Sequence, residues 1–234
     1  MNNITVVAIS DIKIEETIKA LQISSKSINA YKSILFSSLN ITQKNGINHI
    51  KIKPIKNLQD YSKFIIYELH KYIPTSHVLI TQWDGFVINK SKWSENFLNY
   101  DYIGAPFIPR DNDYSYSRNK EGKFYCIGNG GFSLRTKKLL EAPTLFKLKD
   151  DSELTNNHED GFFSVLHRDF LEDMGFTWAP FKIAKNFSIE APLDFHDLKE
   201  LAFGFHGKKI YYFLKIKQIY LKIRHIFSKK NHIL

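Results

Sequence analysis

HVLITQWDGF, residues 77–86, is the stretch on which the reading of the fold turns. His77 to Thr81 is a short run with an apolar centre, of the kind that forms a buried strand, and Trp83, Asp84 and Gly85 follow almost at once. A buried strand that ends on a carboxylate presents a charge beyond the sheet, and that charge needs a partner.

Working outward, residues 4–10 (Ile-Thr-Val-Val-Ala-Ile-Ser) form another β-rich run, and Asp11 to Leu21 has helical spacing with Glu15 and Glu16 early. Ser33 to Leu39 and His49 to Ile55 read as further strands. Asp60 to Tyr72 places Tyr61, Phe64, Ile65, Leu69 and Tyr72 at helical intervals, and Pro74 closes it before the strand that leads to Asp84. Strands alternating with helices in this way predict an α/β fold with an open, mostly parallel sheet flanked by helices. Ligands of such sheets bind beyond the carboxyl ends of the strands, where Asp84 is expected. Later, Trp93 to Tyr100 is a short helix candidate and DYIGAPF (101–107) a turn-rich connection. Arg110 to Lys123 is a polar loop. GNGGFSLR (128–135) is expected to run into a helix at Thr136 to Leu140, and Glu159-Asp160 to precede one at Gly161 to Phe170.

The 234 residues suit one well-buried domain, and 43% hydrophobic with 24% charged residues is a globular balance. No span approaches the ~18 consecutive apolar residues of a membrane-crossing helix. The start, MNNITVVAISDIKIEE, lacks the basic and long apolar regions of a secretion signal, so the cytosol is the expected compartment. The lone cysteine, Cys126, cannot form an internal disulfide and agrees with that.

The formal net charge is +9, unevenly spread. Residues 208–234 carry eight Lys/Arg and no acid, leaving 25 basic against 24 acidic residues in 1–207. The expected organisation is therefore a domain over 1–207 and a basic amphipathic C-terminal helix over 208–234. In that helix Tyr212, Ile216, Ile219, Ile223 and Ile226 form an apolar stripe edged by Lys215, Lys222 and Lys229 on one side and by Lys217 and Arg224 on the other. Such a helix suits an anionic membrane surface, giving peripheral attachment at the inner face of the cytoplasmic membrane. It would equally suit docking on the domain with solvated lysines. Nucleic-acid binding through the tail is a further class, but its aromatics lie within the stripe rather than between the cations, so no nucleic acid is expected as partner.

Taken singly, the polar motifs have ordinary structural readings. A strand-end aspartate is commonly a turn or cap residue, Gly128-Asn129-Gly130-Gly131 a hairpin, Glu159-Asp160 a helix-start pair, and His206 a satisfied core histidine. Glycines at 128, 130 and 131 would also let the backbone approach a bound group and adopt φ > 0.

The ordered set QWDG, DYIGAPF, GNGGFSLR, HEDGFF (158–163) and FGFHG (203–207) resembles a family of bacterial domains catalogued as of unknown function and regarded as glycosyltransferases of the GT-A type. The resemblance covers roughly residues 4–207. It implies a GT-A-like, Rossmann-like fold and transfer of a sugar from a nucleotide-diphosphate donor to a saccharide or lipid-linked acceptor in surface polysaccharide synthesis, with inversion. It also implies a divalent cation, Mn²⁺ or Mg²⁺, neutralising the departing diphosphate. Asp84 matches the last aspartate of the Asp-x-Asp motif, whereas Gln82 stands where the first acid is expected. His206 would supply the second metal ligand, and an imidazole favours Mn²⁺. The resemblance further implies Asp160 as general base, kept ionised by its helix start, with Glu159 as acceptor-orienting or substitute base. Ser10, Asp11, Asp84 and Gly85 would bind the donor, Asn129, Gly130 and Gly131 would line the donor or acceptor sugar, and Arg135 is either part of that set or structural. Because of Gln82, a catalytically inactive carbohydrate- or nucleotide-binding module remains a rival reading.

Overall fold

The computed structural model describes residues 2–42, 46–107, 117–150, 157–190 and 202–215. Its main sheet is six-stranded, in the order β3-β2-β1-β4-β7-β6. The strands are β1 (Asn2–Ile9), β2 (Ala30–Ser37), β3 (Asn48–Lys51), β4 (His77–Ile80), β6 (Tyr102–Ile103) and β7 (Ser133–Thr136). β1 pairs in parallel with both β2 and β4, and β2 with β3, whereas β7 runs antiparallel to β4 and β6. The mostly parallel sheet matches the expectation from periodicity, and its hydrophobicity explains why. Ile4, Val6, Val7, Val78, Leu79 and Ile80 are fully buried, as central strands covered on both faces require.

Helices α1 (Ile14–Ser27), α2 (Leu58–Tyr67) and α3 (Lys137–Leu145) pack against this sheet. The helix expected over 60–72 breaks in two. α2 is capped by Asn57, whose side chain accepts from Asp60 N, and a separate 3₁₀ turn follows at Leu69–Tyr72. Trp93 to Tyr100 forms a 3₁₀ turn at Glu95–Asn99 rather than an α-helix. The helix expected over 161–170 is interrupted as well. A turn at Glu159–Gly161 runs into a π-helical stretch at Phe162–Leu166, and a short helix follows at Arg168–Asp173.

After β3 the chain crosses the carboxyl end of β2 and returns to the far side of β1 as β4. β1 therefore sits where the strand order reverses, and the crevice outside its carboxyl end and that of β4 is the natural ligand position. A second, three-stranded sheet, β5 (Gly85–Val87), β9 (Gly204–His206) and β8 (Ser188–Ile189), closes one side of that crevice. Three features escape periodicity. β7 is a strand where a loop into a helix is expected, and β5 and β9 are too short to show a pattern.

Residues 208–215 are helical. Ile210 is buried with Ile189, Ala202 and Phe205, and Tyr211 meets Trp83 edge-on at 5.1 Å, so these two turns rest on the small sheet. The rest of the expected amphipathic helix lies outside the described residues, as does the first half, 110–116, of the polar loop over 110–123. Among the described residues, no helix is long and apolar enough to cross a membrane.

Candidate active site

Gln82 to Gly85 is a tight turn. Gln82 N donates to Gly85 O at 2.9 Å and Gly85 N to Gln82 O at 3.0 Å. Gly85 is required by space, since a Cβ there would lie 3.0 Å from both Gly131 O and His206 Cδ2. The turn leads into β5, which pairs antiparallel with β9 in the register Gly85↔His206. That pairing brings together two residues far apart in the chain. Asp84 Oδ1 lies 4.0 Å from His206 Nε2. Gly207, at φ 114°, turns the chain so that its N–H donates to Asp84 O at 2.8 Å.

Asp84 is only 5% exposed, and its Oδ1 has no hydrogen-bond partner. Burial raises its pKa above the ordinary carboxylate value, although His206, its own backbone, Lys208 and Lys13 pull the other way. A buried carboxylate oxygen without a hydrogen bond from the protein costs free energy, which a bound cation, a proton or a water would offset.

The imidazole of His206 is held from both sides. Nε2 lies 3.1 Å from Gln82 Oε1, and Nδ1 lies 3.2 Å from Glu190 Oε1 and 3.3 Å from Asn129 Nδ2. Burial lowers its pKa, but the hydrogen bond and charge of Glu190, with Asp84 and Asp160, more than offset this and raise it above the usual histidine value. Gln82 also donates from Nε2 to the Tyr61 hydroxyl at 2.9 Å. The residue at the missing acidic position thus orients the imidazole. Gln82, Tyr61 and Glu190 were not in the predicted site, and no local pattern marks them.

Asp84 Oδ1 and His206 Nε2 are close enough to share one divalent cation, provided Nε2 gives up its bond to Gln82. Among the described residues, no group of three or more His, Cys, Asp or Glu gathers at metal-binding spacing. Asp84 and His206 are thus two candidate ligands, and a cation held there would need further ligands from outside the described residues.

Gly128 to Gly131 form the opposite wall, and none of the three glycines has φ > 0. The expected left-handed backbone is absent, and the glycines serve close approach instead. A Cβ on Gly130 would run into the Glu159 carboxylate, and one on Gly131 into the His206 ring. Asn129 is buried, its Oδ1 without a hydrogen-bond partner.

Behind this wall lies a buried ion pair. Arg135, fully buried, donates from Nη1 to Glu159 Oε2 at 2.5 Å and from Nη2 to Oε1 at 3.0 Å. It also donates to Ser133 Oγ and to the Tyr102 hydroxyl, which in turn donates to Gly128 O. Arg135 is thus structural, and both oxygens of Glu159 are taken up in holding it. Asp160, 5% exposed, points back at the glycine wall. Its Oδ2 accepts from Gly130 N at 3.1 Å and its Oδ1 from Gly161 N at 2.9 Å.

A cleft of about 280 Å³ opens between the carboxyl ends of β1 and β4, lined among others by Ser10, Asp11, Ile12, Asn57, Tyr61 and Trp83. Ser10 and Asp11 reach it as expected, but the Asp11 carboxylate is engaged in the fold. It accepts from Ser37 Oγ, Ser38 N, Ser38 Oγ and Ile55 N at 2.7–2.9 Å. Burial pushes its pKa up, yet these bonds prevail and hold it below the usual carboxylate range. Asp11 shapes the cleft by tying β1, β2 and the segment after β3 together. Gln82 lines the same cleft, so cleft and Asp84 site are joined through one turn.

The chain belongs to the family of proteins of unknown function DUF5672, whose model matches residues 44–206. Among solved structures it is similar to a glycosyltransferase involved in the glycosylation of the major capsid of PBCV-1, with a TM-score of 0.52 and 14% identity over 87% of this chain and 92% of that one. At that identity the likeness is one of fold, and the fold is glycosyltransferase-like. No curated protein matches.

Proposed function

We propose that this DUF5672 member is a nucleotide-sugar-dependent glycosyltransferase that moves a sugar to a saccharide or lipid-linked acceptor with inversion. The observation that carries this reading is the bare, buried Asp84 oxygen beside His206, next to a cleft at the reversal point of the sheet. The nucleoside occupies the cleft between Ser10 and Trp83, and the diphosphate lies toward Asp84. Asp84 and His206 would hold a divalent cation, Mn²⁺ in preference to Mg²⁺ for the imidazole, and bound there it would supply Lewis-acid stabilisation of the leaving diphosphate. Asn129, Gly130 and Gly131 border the sugar. Asp160 receives the proton of the attacking acceptor hydroxyl, and the Gly130 and Gly161 amides hold its carboxylate in one orientation.

Gln82 favours a second reading, a binding module without turnover, because it replaces an acid and occupies His206 Nε2. One experiment separates them. Purified protein is melted with a panel of UDP-, GDP- and dTDP-sugars with and without Mn²⁺, and donor hydrolysis is then measured for wild type and Asp84→Asn. The transferase reading expects Mn²⁺-dependent stabilisation by one donor and hydrolysis lost in the variant. Stabilisation without hydrolysis favours the module, and stabilisation by no donor refutes both.

A further inference from the structure

A second, larger cavity lies beside the donor cleft and plays no part in the reading above. It is an open groove of about 830 Å³ between the edge strand β3, the segment that follows it, and α2. Lys51, Lys53, Lys56 and Lys63 line it, all exposed. The two acids in the lining are already engaged. Asp60 accepts from Lys56 N at 2.9 Å near the start of α2, and Glu68 pairs with Lys71 at 2.8 Å. Lys51 donates to Asn40 Oδ1 at 2.9 Å, and among the described residues Lys53, Lys56 and Lys63 pair with no acid. In a body of 25 basic and 24 acidic residues over 1–207, this is a local concentration of positive charge, without ion pairs to acids for Lys53, Lys56 and Lys63 among the described residues.

The groove is also firm. Phe64 and Tyr72 stack on each other at 6.1 Å, and both pack on the buried Phe36 at 5.1 and 5.2 Å. One face of each ring is turned to the other, leaving the exposed side of Tyr72, 36% exposed, and the lysine stems as apolar contact surface. A single exposed aromatic, Tyr72, is a poor platform for nucleic acid, whose successive bases each need an open aromatic face to stack upon. Among the described residues no arginine, whose fork grips phosphate with two bonds, lines the groove, which offers the single ammonium charges of four lysines. Separate point charges suit a chain bearing one carboxylate per unit.

We infer that this groove binds a linear saccharide carrying carboxylates, seated along Lys51, Lys53, Lys56 and Lys63. It shares Ile55 and Lys56 with the donor cleft, so a bound chain is held beside the transferase site without filling it. The inference does not depend on turnover and is tested without donor. Affinities of hexagalacturonate, a neutral dextran oligosaccharide, inorganic polyphosphate and single-stranded RNA are measured by titration calorimetry on the full chain at two salt concentrations. The variant is Lys53→Glu/Lys63→Glu, two exposed positions, with its melting temperature as the control for folding.

The expected result is salt-sensitive hexagalacturonate binding that the double variant weakens at least about tenfold, with little binding of dextran. Dextran binding as tightly, polyphosphate or RNA binding more tightly, or an unchanged affinity in a folded variant would overturn it. Melts of the same variant with a nucleotide sugar keep the two proposals apart. Lost uronate binding with intact donor stabilisation supports the groove, and absent donor stabilisation in the wild type counts only against the transferase.

Discussion

Replacing Glu159 by alanine leaves the Arg135 guanidinium as an uncompensated charge in the core. Both partners are almost wholly removed from water, at 0% and 5% side-chain exposure, and two parallel hydrogen bonds join them. Removing one member of such a pair costs about 3–5 kcal/mol, far above the ~1 kcal/mol ceiling typical of exposed pairs. For a chain of this length that corresponds to a fall in melting temperature of about 6–20 °C. The companion variant Arg135→Met/Glu159→Leu removes both charges and keeps the Tyr102 bond to Gly128 O, so it should recover most of the loss. Urea unfolding followed by circular dichroism on Arg135→Met, Glu159→Leu and the double variant gives the coupling directly, expected at about 2–3 kcal/mol. Asp160→Asn should lose turnover at a smaller cost of about 1–3 kcal/mol, since an amide oxygen can accept only one of the two N–H bonds that the carboxylate takes from Gly130 and Gly161. If Glu159→Ala costs less than about 1 kcal/mol, the pair is not the keystone described here. If that variant folds like wild type and loses turnover, Glu159 rather than Asp160 is the acting carboxylate.

Three further outcomes follow from the same geometry. Asp84→Asn should abolish metal-dependent donor hydrolysis while matching or exceeding wild-type stability at neutral pH. A carboxyl whose folded pKa is raised is destabilising while ionised, so the wild type should gain on the variant as pH falls through that pKa, and denaturation across pH 4–8 reads the difference. For His206 the sign is reversed. Its raised folded pKa gives stability that is full below the unfolded value of about 6.5 and is lost as pH rises through the folded value. Glu190→Gln should lower that folded pKa, as followed by NMR of the imidazole, and an unmoved titration would contradict the assigned role of Glu190. Gly131→Ala would push a methyl into the His206 ring, costing about 1–3 kcal/mol and removing donor-induced stabilisation, and a variant that still responds to donor would show the ring free to move.

Much of the architecture was legible because its causes are local. Apolar runs around Val6, Leu35 and Leu79 need burial on both faces wherever they sit, and the helical spacing around Ile65 needs one buried face, so a mostly parallel α/β sheet followed from the pattern. The position of Asp84 at a strand's end followed in the same way. The breaks in the helices at residues 68 and 162–167 did not, because there tertiary packing overrides propensity.

The site divides along the same line. By itself the sequence determined which residues were candidates for chemistry: a carboxylate after β4, a histidine between apolar residues and glycines, and an acid pair after a glycine-rich segment. Only the tertiary structure decided their partners. Gln82 and His206, 124 residues apart, meet because β5 pairs with β9, and Glu159 is turned away from chemistry because Arg135 lies buried behind the glycine wall. Periodicity reports whether a residue needs burial, whereas a hydrogen bond or ion pair depends on which atoms the folded chain brings within about 3 Å, and no local pattern encodes that distance.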